Sequence, residues 1–109
     1  MTSHRSRNGL ALLLTTLATV ASAEPLSERG AELFRASCAS CHLHAETGAP
    51  MAGDAEAWDA TRGFDALLES AINGVRHMPP LGMCGACTES DLRELVAFLS
   101  GVPDPARNR

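Results

Sequence analysis

The five residues Cys38-Ala39-Ser40-Cys41-His42 decide how the rest of this 109-residue chain is read. Two thiols three positions apart can each add to a vinyl group of a porphyrin, and the adjacent histidine can then offer its imidazole to the iron. C-x-x-C-H is the attachment pattern of c-type haem. A bare C-x-x-C is ambiguous, because disulfide oxidoreductases and zinc sites share it. A second pair, Cys84 and Cys87, follows Cys41 after 42 residues, and four thiolates form a zinc donor set. That gap is long for a zinc ribbon, and zinc would leave His42 without a purpose. A thioredoxin-like site needs a strand-helix context that the sequence lacks. The motif therefore predicts one covalently attached haem c on Cys38 and Cys41, with His42 as an iron ligand.

Upstream of the motif the chain reads as a leader rather than as fold. Arg5 and Arg7 precede an 11-residue run of small and apolar residues, Leu10 to Val20, and Ala21-Ser22-Ala23 supplies a small-x-small cleavage site. The apolar run is too short for a bilayer core, which needs about 20 residues. The expected division is a secretory signal peptide over 1–23 and one domain over 24–109. No cysteine follows the cut, so neither a lipid anchor nor stable membrane insertion after cleavage is expected. Export and the motif support each other, because haem is attached to such sites after export, and an oxidising exterior favours disulfides over free thiolates.

The remaining 86 residues make a small domain, one that buries little apolar surface and gains from a cofactor or a disulfide. It carries seven arginines, no lysine and 13 carboxylates, a formal charge of −6. This balance argues against nucleic acid and anionic membranes as partners and favours a redox protein with a basic docking face.

Three stretches read as helix and none as strand, so the expected class is all-α. The first runs from about Ser27, a plausible N-cap, to Ser37, with Gly30, Leu33 and Phe34 on one face. A mid-helix glycine is unfavourable by up to about 1 kcal/mol, which close packing of another backbone would explain. The second starts near Phe64 or Asp65, repeats Phe64, Leu67, Leu68 and Ala71, and closes at Asn73-Gly74. The third runs from Thr88 to about Ser100. Thr88 with Asp91 suggests a capping box, Leu92, Leu95, Val96 and Leu99 form its buried stripe, and Gly101 and Pro103 end it. Two long loops, Cys41 to Trp58 and Gly74 to Cys87, are odd for a plain bundle unless they enclose a cofactor. The last residues, from Asp104, read as a frayed tail.

A second axial ligand has five candidates: His44, Met51, His77, Met78 and Met83. His44 is too close to His42 to reach the opposite face of a haem. Met78 is favoured over a core-filling role because Pro79-Pro80 stiffens the chain behind it. A thioether donor favours ferrous iron, so His/Met ligation predicts a higher potential than His/His. Cys84 and Cys87 are followed by Thr88 rather than histidine, so they are not a second haem site. A disulfide in the turn before the last helix is expected, with a redox-active pair as the alternative.

Taken together, these residues resemble class I c-type cytochromes, and more closely the bacterial cytochrome c-five type. The pieces that carry the likeness are Cys38-Ala39-Ser40-Cys41-His42, Gly48-Ala49-Pro50, Gly53-Asp54 with Trp58, and Ala71-Ile72-Asn73-Gly74. Met78-Pro79-Pro80 and Cys84-Gly85-Ala86-Cys87 complete it. The resemblance implies a cytochrome c fold, with three main helices and loops wrapped around one covalently bound haem. Gly30 and Phe34 would cross Leu95 and Phe98. It implies His42 and Met78 as iron ligands, a Cys84–Cys87 disulfide, a Pro50 carbonyl that accepts from the proximal imidazole, and Trp58 near the haem propionates. Family members often carry lysine after Met-Pro-Pro, where this chain has Leu81. The function implied is a periplasmic one-electron carrier in a respiratory or related chain, not an enzyme. The alternatives are a haem protein with a labile distal site, peroxidase-like or gas-binding, and a subunit held permanently in a larger redox complex.

Overall fold

A computed structural model of the chain describes residues 9–17, 24–59 and 62–107. Arg5, Arg7 and the Ala21-Ser22-Ala23 triplet lie outside the described residues, and Leu10 to Leu17 is exposed and non-helical. Among the described residues no helix is long and apolar enough to cross a membrane.

The first helix begins where the serine cap places it. Ser27 Oγ accepts from the Gly30 amide at 3.0 Å, and Glu28 sits in the first turn, where a carboxylate complements the helix dipole. Helix α1 covers Glu28–Leu33, passes into a π-helical turn over Phe34–Cys38, and resumes as α2 over Ala39–His42. The expected end near Ser37 is therefore too early. Nothing from Cys38 to His42 breaks a helix, and one extra residue is absorbed where the Ala39 amide reaches back five residues to the Phe34 carbonyl. Such π-turns concentrate at functional sites, because they rotate the following side chains relative to the preceding face.

Helix α3, Phe64–Asn73, buries Phe64, Leu67, Leu68 and Ala71, the stripe expected from the sequence. Helix α4, Glu89–Ser100, carries both bonds of the capping box. The Asp91 amide donates to Thr88 Oγ1 at 3.2 Å, and the Thr88 amide donates to Asp91 Oδ2 at 2.8 Å. Among the described residues the one β-feature is an isolated bridge between Val75 and Met78.

Helix α4 is the hub of the core. Leu92 and Val96 face the α3 stripe, while Leu95 and Leu99 face Phe34. Phe34 and Phe98 meet edge to face with centroids 5.4 Å apart, so the first and last helical segments cross where the resemblance implied. Gly30 is buried there, but its neighbour is a side chain and not a backbone. A Cβ at Gly30 would lie 2.6 Å from Glu94 Oε1, and the same carboxylate accepts from the Ser27 amide at 2.6 Å.

The carboxyl-terminal segment also departs from expectation. Asp104 is only 3% exposed and takes a two-point bond from Arg93, Nε to Oδ2 at 2.9 Å and Nη2 to Oδ1 at 2.7 Å. The chain is thus fastened to α4 at Asp104 rather than frayed from it. An arginine eleven positions upstream is not a neighbour that periodicity could reveal.

Candidate haem site

Cys38 and Cys41 sit three apart on helical backbone, which puts both thiols on one face. Both are free; Cys38 is half-buried and Cys41 exposed. Burial pushes the Cys38 thiol up from its ordinary value. Cys84 and Cys87 are bonded to each other, which removes the four-thiolate zinc alternative.

His42 ends α2 and is 7% exposed. Its Nδ1 lies 2.7 Å from the Pro50 carbonyl oxygen. A carbonyl can only accept, so Nδ1 carries the proton and the Nε2 lone pair is left free. Among the described residues no buried side-chain nitrogen or oxygen lacks a partner. Nε2 makes no hydrogen bond to any of the described residues, so none of them seals it. A tethering thiol pair, an oriented imidazole and an unsealed Nε2 fit a covalently held haem. Cys38, Cys41 and His42 are the residues that would hold it on this side.

Residues 50–53 form the plate behind this histidine. The Ala52 amide donates to the His42 carbonyl at 2.8 Å and the Gly53 amide to the Leu99 carbonyl at 2.9 Å, tying the loop to both α2 and α4. Trp58 lies along the imidazole, with centroids 5.2 Å apart and planes 25° from parallel. Its indole N–H donates to the Met51 carbonyl at 2.9 Å. Thr47 was not singled out from the sequence. Its hydroxyl lies 2.8 Å from the Cys41 carbonyl and 2.7 Å from that of His44, closing the end of α2.

The five candidate second ligands separate by environment. His44 and His77 are exposed, the former 3.4 Å from Glu46, and Met83 is 81% exposed. Met51 is half-buried in the plate behind His42, on the proximal side. Met78 is half-buried and packs against the Phe64, Leu67 and Leu68 cluster. Its backbone pairs twice with Val75, amide to carbonyl at 2.9 and 3.1 Å. After Pro79 and Pro80, Leu81, Gly82 and Met83 all take positive φ near 60°. Two of the three are not glycine, and single residues there are unfavourable by about 1–2 kcal/mol each. The disulfide follows at once, with Cys84 buried and Cys87 packed against both halves of the core. The turn is thus held between two prolines and a covalent staple.

Comparison with known proteins agrees with this arrangement. Residues 25–99 match a family model described as cytochrome c oxidase, cbb3-type, subunit III. Cytochrome c5 of Ectopseudomonas mendocina is 41% identical over 69 residues, 60% of this chain and 79% of that protein. Cytochrome c5 of Azotobacter vinelandii is 36% identical over 69 residues, 60% of this chain and 83% of the relative. Among solved structures, the cytochrome c in an electron transfer complex with nitrite reductase superposes with a TM-score of 0.60 at 37% identity. That match covers 71% of this chain and 96% of the other.

Proposed function

The chain belongs to the monohaem class I cytochromes c, and is cytochrome c5-like within them; from that premise we propose that it is an exported one-electron carrier whose iron is held by His42 and Met78. The observation that supports this reading most is the 2.7 Å bond from His42 Nδ1 to the Pro50 carbonyl, which leaves Nε2 as a fixed donor beside two free thiols. When bound, the haem supplies the iron that takes up and releases the electron. The residues tether and orient it. Cys38 and Cys41 would hold it through thioether bonds, Pro50 sets the imidazole tautomer, and Met78 would offer a thioether from a loop held by Val75 and the proline pair. With His42 and Met78 both supplied as ligands, the bound iron would be left electron transfer as its chemistry, which is the work of an electron carrier and not of an enzyme.

Residues 1–23 act in this reading as the export signal, and 24–109 as the periplasmic domain. The relative in the solved complex is bound to nitrite reductase, a redox protein. A redox protein is the class of partner proposed here, met through a face with basic residues.

Spectra of the oxidised and reduced protein test the iron site. The expected result is low-spin iron with the weak long-wavelength band of ferric iron bound to methionine, lost in Met78→Ala. High-spin iron, or rapid carbon monoxide binding by the native reduced protein, would instead indicate a labile distal position.

A further inference from the structure

We propose that Gly74 is a positioning residue for the Met78 ligand, acting by leaving room for the backbone that carries it; this rests on the ligand reading above. Gly74 follows the last residue of α3 with φ 80° and ψ 154°. That combination belongs essentially to glycine, because a Cβ collides with the flanking peptides. The space beside it is also taken. A Cβ at position 74 would lie 2.8 Å from the Met78 carbonyl oxygen, 2.9 Å from the Pro80 nitrogen and 3.1 Å from Pro80 Cδ. The two nearest are backbone atoms, which cannot swing aside as the end of a side chain would.

The consequence falls on one segment. Residues 78–80 lie against the bare Cα of Gly74, and Met78 is returned to the same spot by its paired bonds with Val75. Pro79 and Pro80 have restricted φ and little freedom to absorb a push. Any side chain at position 74 therefore either moves residues 78–80 outward or distorts the end of α3. Such movement would shift the Met78 thioether from the place it holds here and so would weaken it as a ligand.

Gly63 supplies an internal control at the other end of α3. It has φ 79° and ψ 168°, the same glycine-only region, yet no described atom lies within 4 Å of a Cβ built there. Gly63→Ala thus carries the conformational penalty without the intrusion.

The experiment uses the full haem-loaded protein and the variants Gly74→Ala, Gly63→Ala and Met78→Ala. Three readouts are taken: thermal midpoint, the long-wavelength ferric band, and the affinity of the ferric protein for added imidazole, which competes with Met78. Both glycine variants are expected to melt lower. Only Gly74→Ala is expected to weaken the band and to bind imidazole more tightly, by about tenfold or more, as a penalty confined to the closed state requires. Gly74→Ala with a lower midpoint but imidazole affinity equal to that of Gly63→Ala would overturn the assignment. Met78→Ala separates the two claims: if it keeps the band and the native imidazole affinity, the ligand reading has failed. If Gly74→Ala yields no folded protein, it is combined with Pro80→Ala, which gives the segment freedom to yield. Imidazole affinity above that of Pro80→Ala alone then supports the role. Equal affinity, or no folded double variant, overturns it in favour of a fold-wide requirement.

Discussion

At the scale of single residues, the imidazole of His42 is held by more than its own bond. The Pro50 carbonyl accepts a hydrogen bond from Nδ1–H, Trp58 covers the ring, and the carbonyl of the intervening Met51 fixes Trp58 in turn. Trp58→Ala should loosen the imidazole and admit water to the proximal side. The expected result is a loss of about 2 kcal/mol in thermal or denaturant unfolding, less than for a fully buried aromatic. Water access stabilises the more highly charged ferric state, so the reduction potential should fall in voltammetry. Trp58→Phe keeps a ring over His42 and should recover most of the potential while losing the bond to Met51. Equal potentials in all three proteins would remove Trp58 from the account of His42. The attachment residues were legible in the sequence because their chemistry is local: two thiols and an imidazole in five residues. The stacking on Trp58 was not, because fifteen intervening residues must fold back before the rings meet.

At the scale of elements, α3 and α4 begin and end as their sequences indicate. Their signals are short-range: an apolar stripe at helical spacing, a threonine cap, and a glycine beyond the last turn. The start of α4 is the most tightly held of these ends. Besides the capping box, Arg29 of α1 bonds both oxygens of Asp91 at 3.0 and 2.8 Å and the Ala86 carbonyl at 3.1 Å. One guanidinium thus joins the first helix, the last helix and the disulfide turn. Thr88→Ala removes the cap and should lower stability by about 1 kcal/mol in denaturant unfolding, with helical circular dichroism otherwise intact. Replacing both Cys84 and Cys87 by serine opens a short loop, for which chain entropy alone amounts to about 2 kcal/mol. The measured loss should be larger, because Cys87 contacts both halves of the core and serine does not fill that space well. A loss below 1 kcal/mol would mean the turn is held by its hydrogen bonds and packing alone. The π-turn over Phe34–Cys38 was not legible, since the residues there are ordinary helix formers. It depends on where Phe34 must point to pack against Leu95 and Leu99, which lie far along the chain.

At the scale of the whole molecule, charge has two separate effects. Asp91 and Asp104 are held below the ordinary carboxylate value of 3.8, the first by hydrogen bonds from Arg29 and Thr88, the second by Arg93. Their depressed folded values contribute stability that is fully present above the unfolded value near 4. It is lost as pH falls through the folded values. Thermal midpoints should therefore be level through neutral pH and fall below about pH 4. Asp104→Asn should flatten part of that acid limb at the expense of stability at pH 7, because Arg93 loses a charged partner. An acid limb unchanged in Asp104→Asn would assign it to other carboxylates. The remaining charge acts on encounter. A chain with a net −6 beyond residue 23 should be drawn to a basic face, so electron transfer to such a partner should slow as salt rises and screening shortens below about 10 Å. Rates independent of salt would leave apolar contact as the source of docking.

Local sequence was enough for the haem-attachment motif, the helical class, the start of α1, both ends of α3 and of α4, and the pairing of the second cysteines. Each of these depends on residues close together in the chain. Long-range packing is what places Gly30 against Glu94, fastens Asp104 to Arg93, lays Trp58 on His42 and rests the Met78 segment against Gly74. The reason is physical: those contacts join residues that local propensity treats as independent, and packing around α4 brings them together. Cys38 to His42 could announce a haem by spacing alone. Whether its imidazole is held still depends on a loop and a ring that arrive from elsewhere.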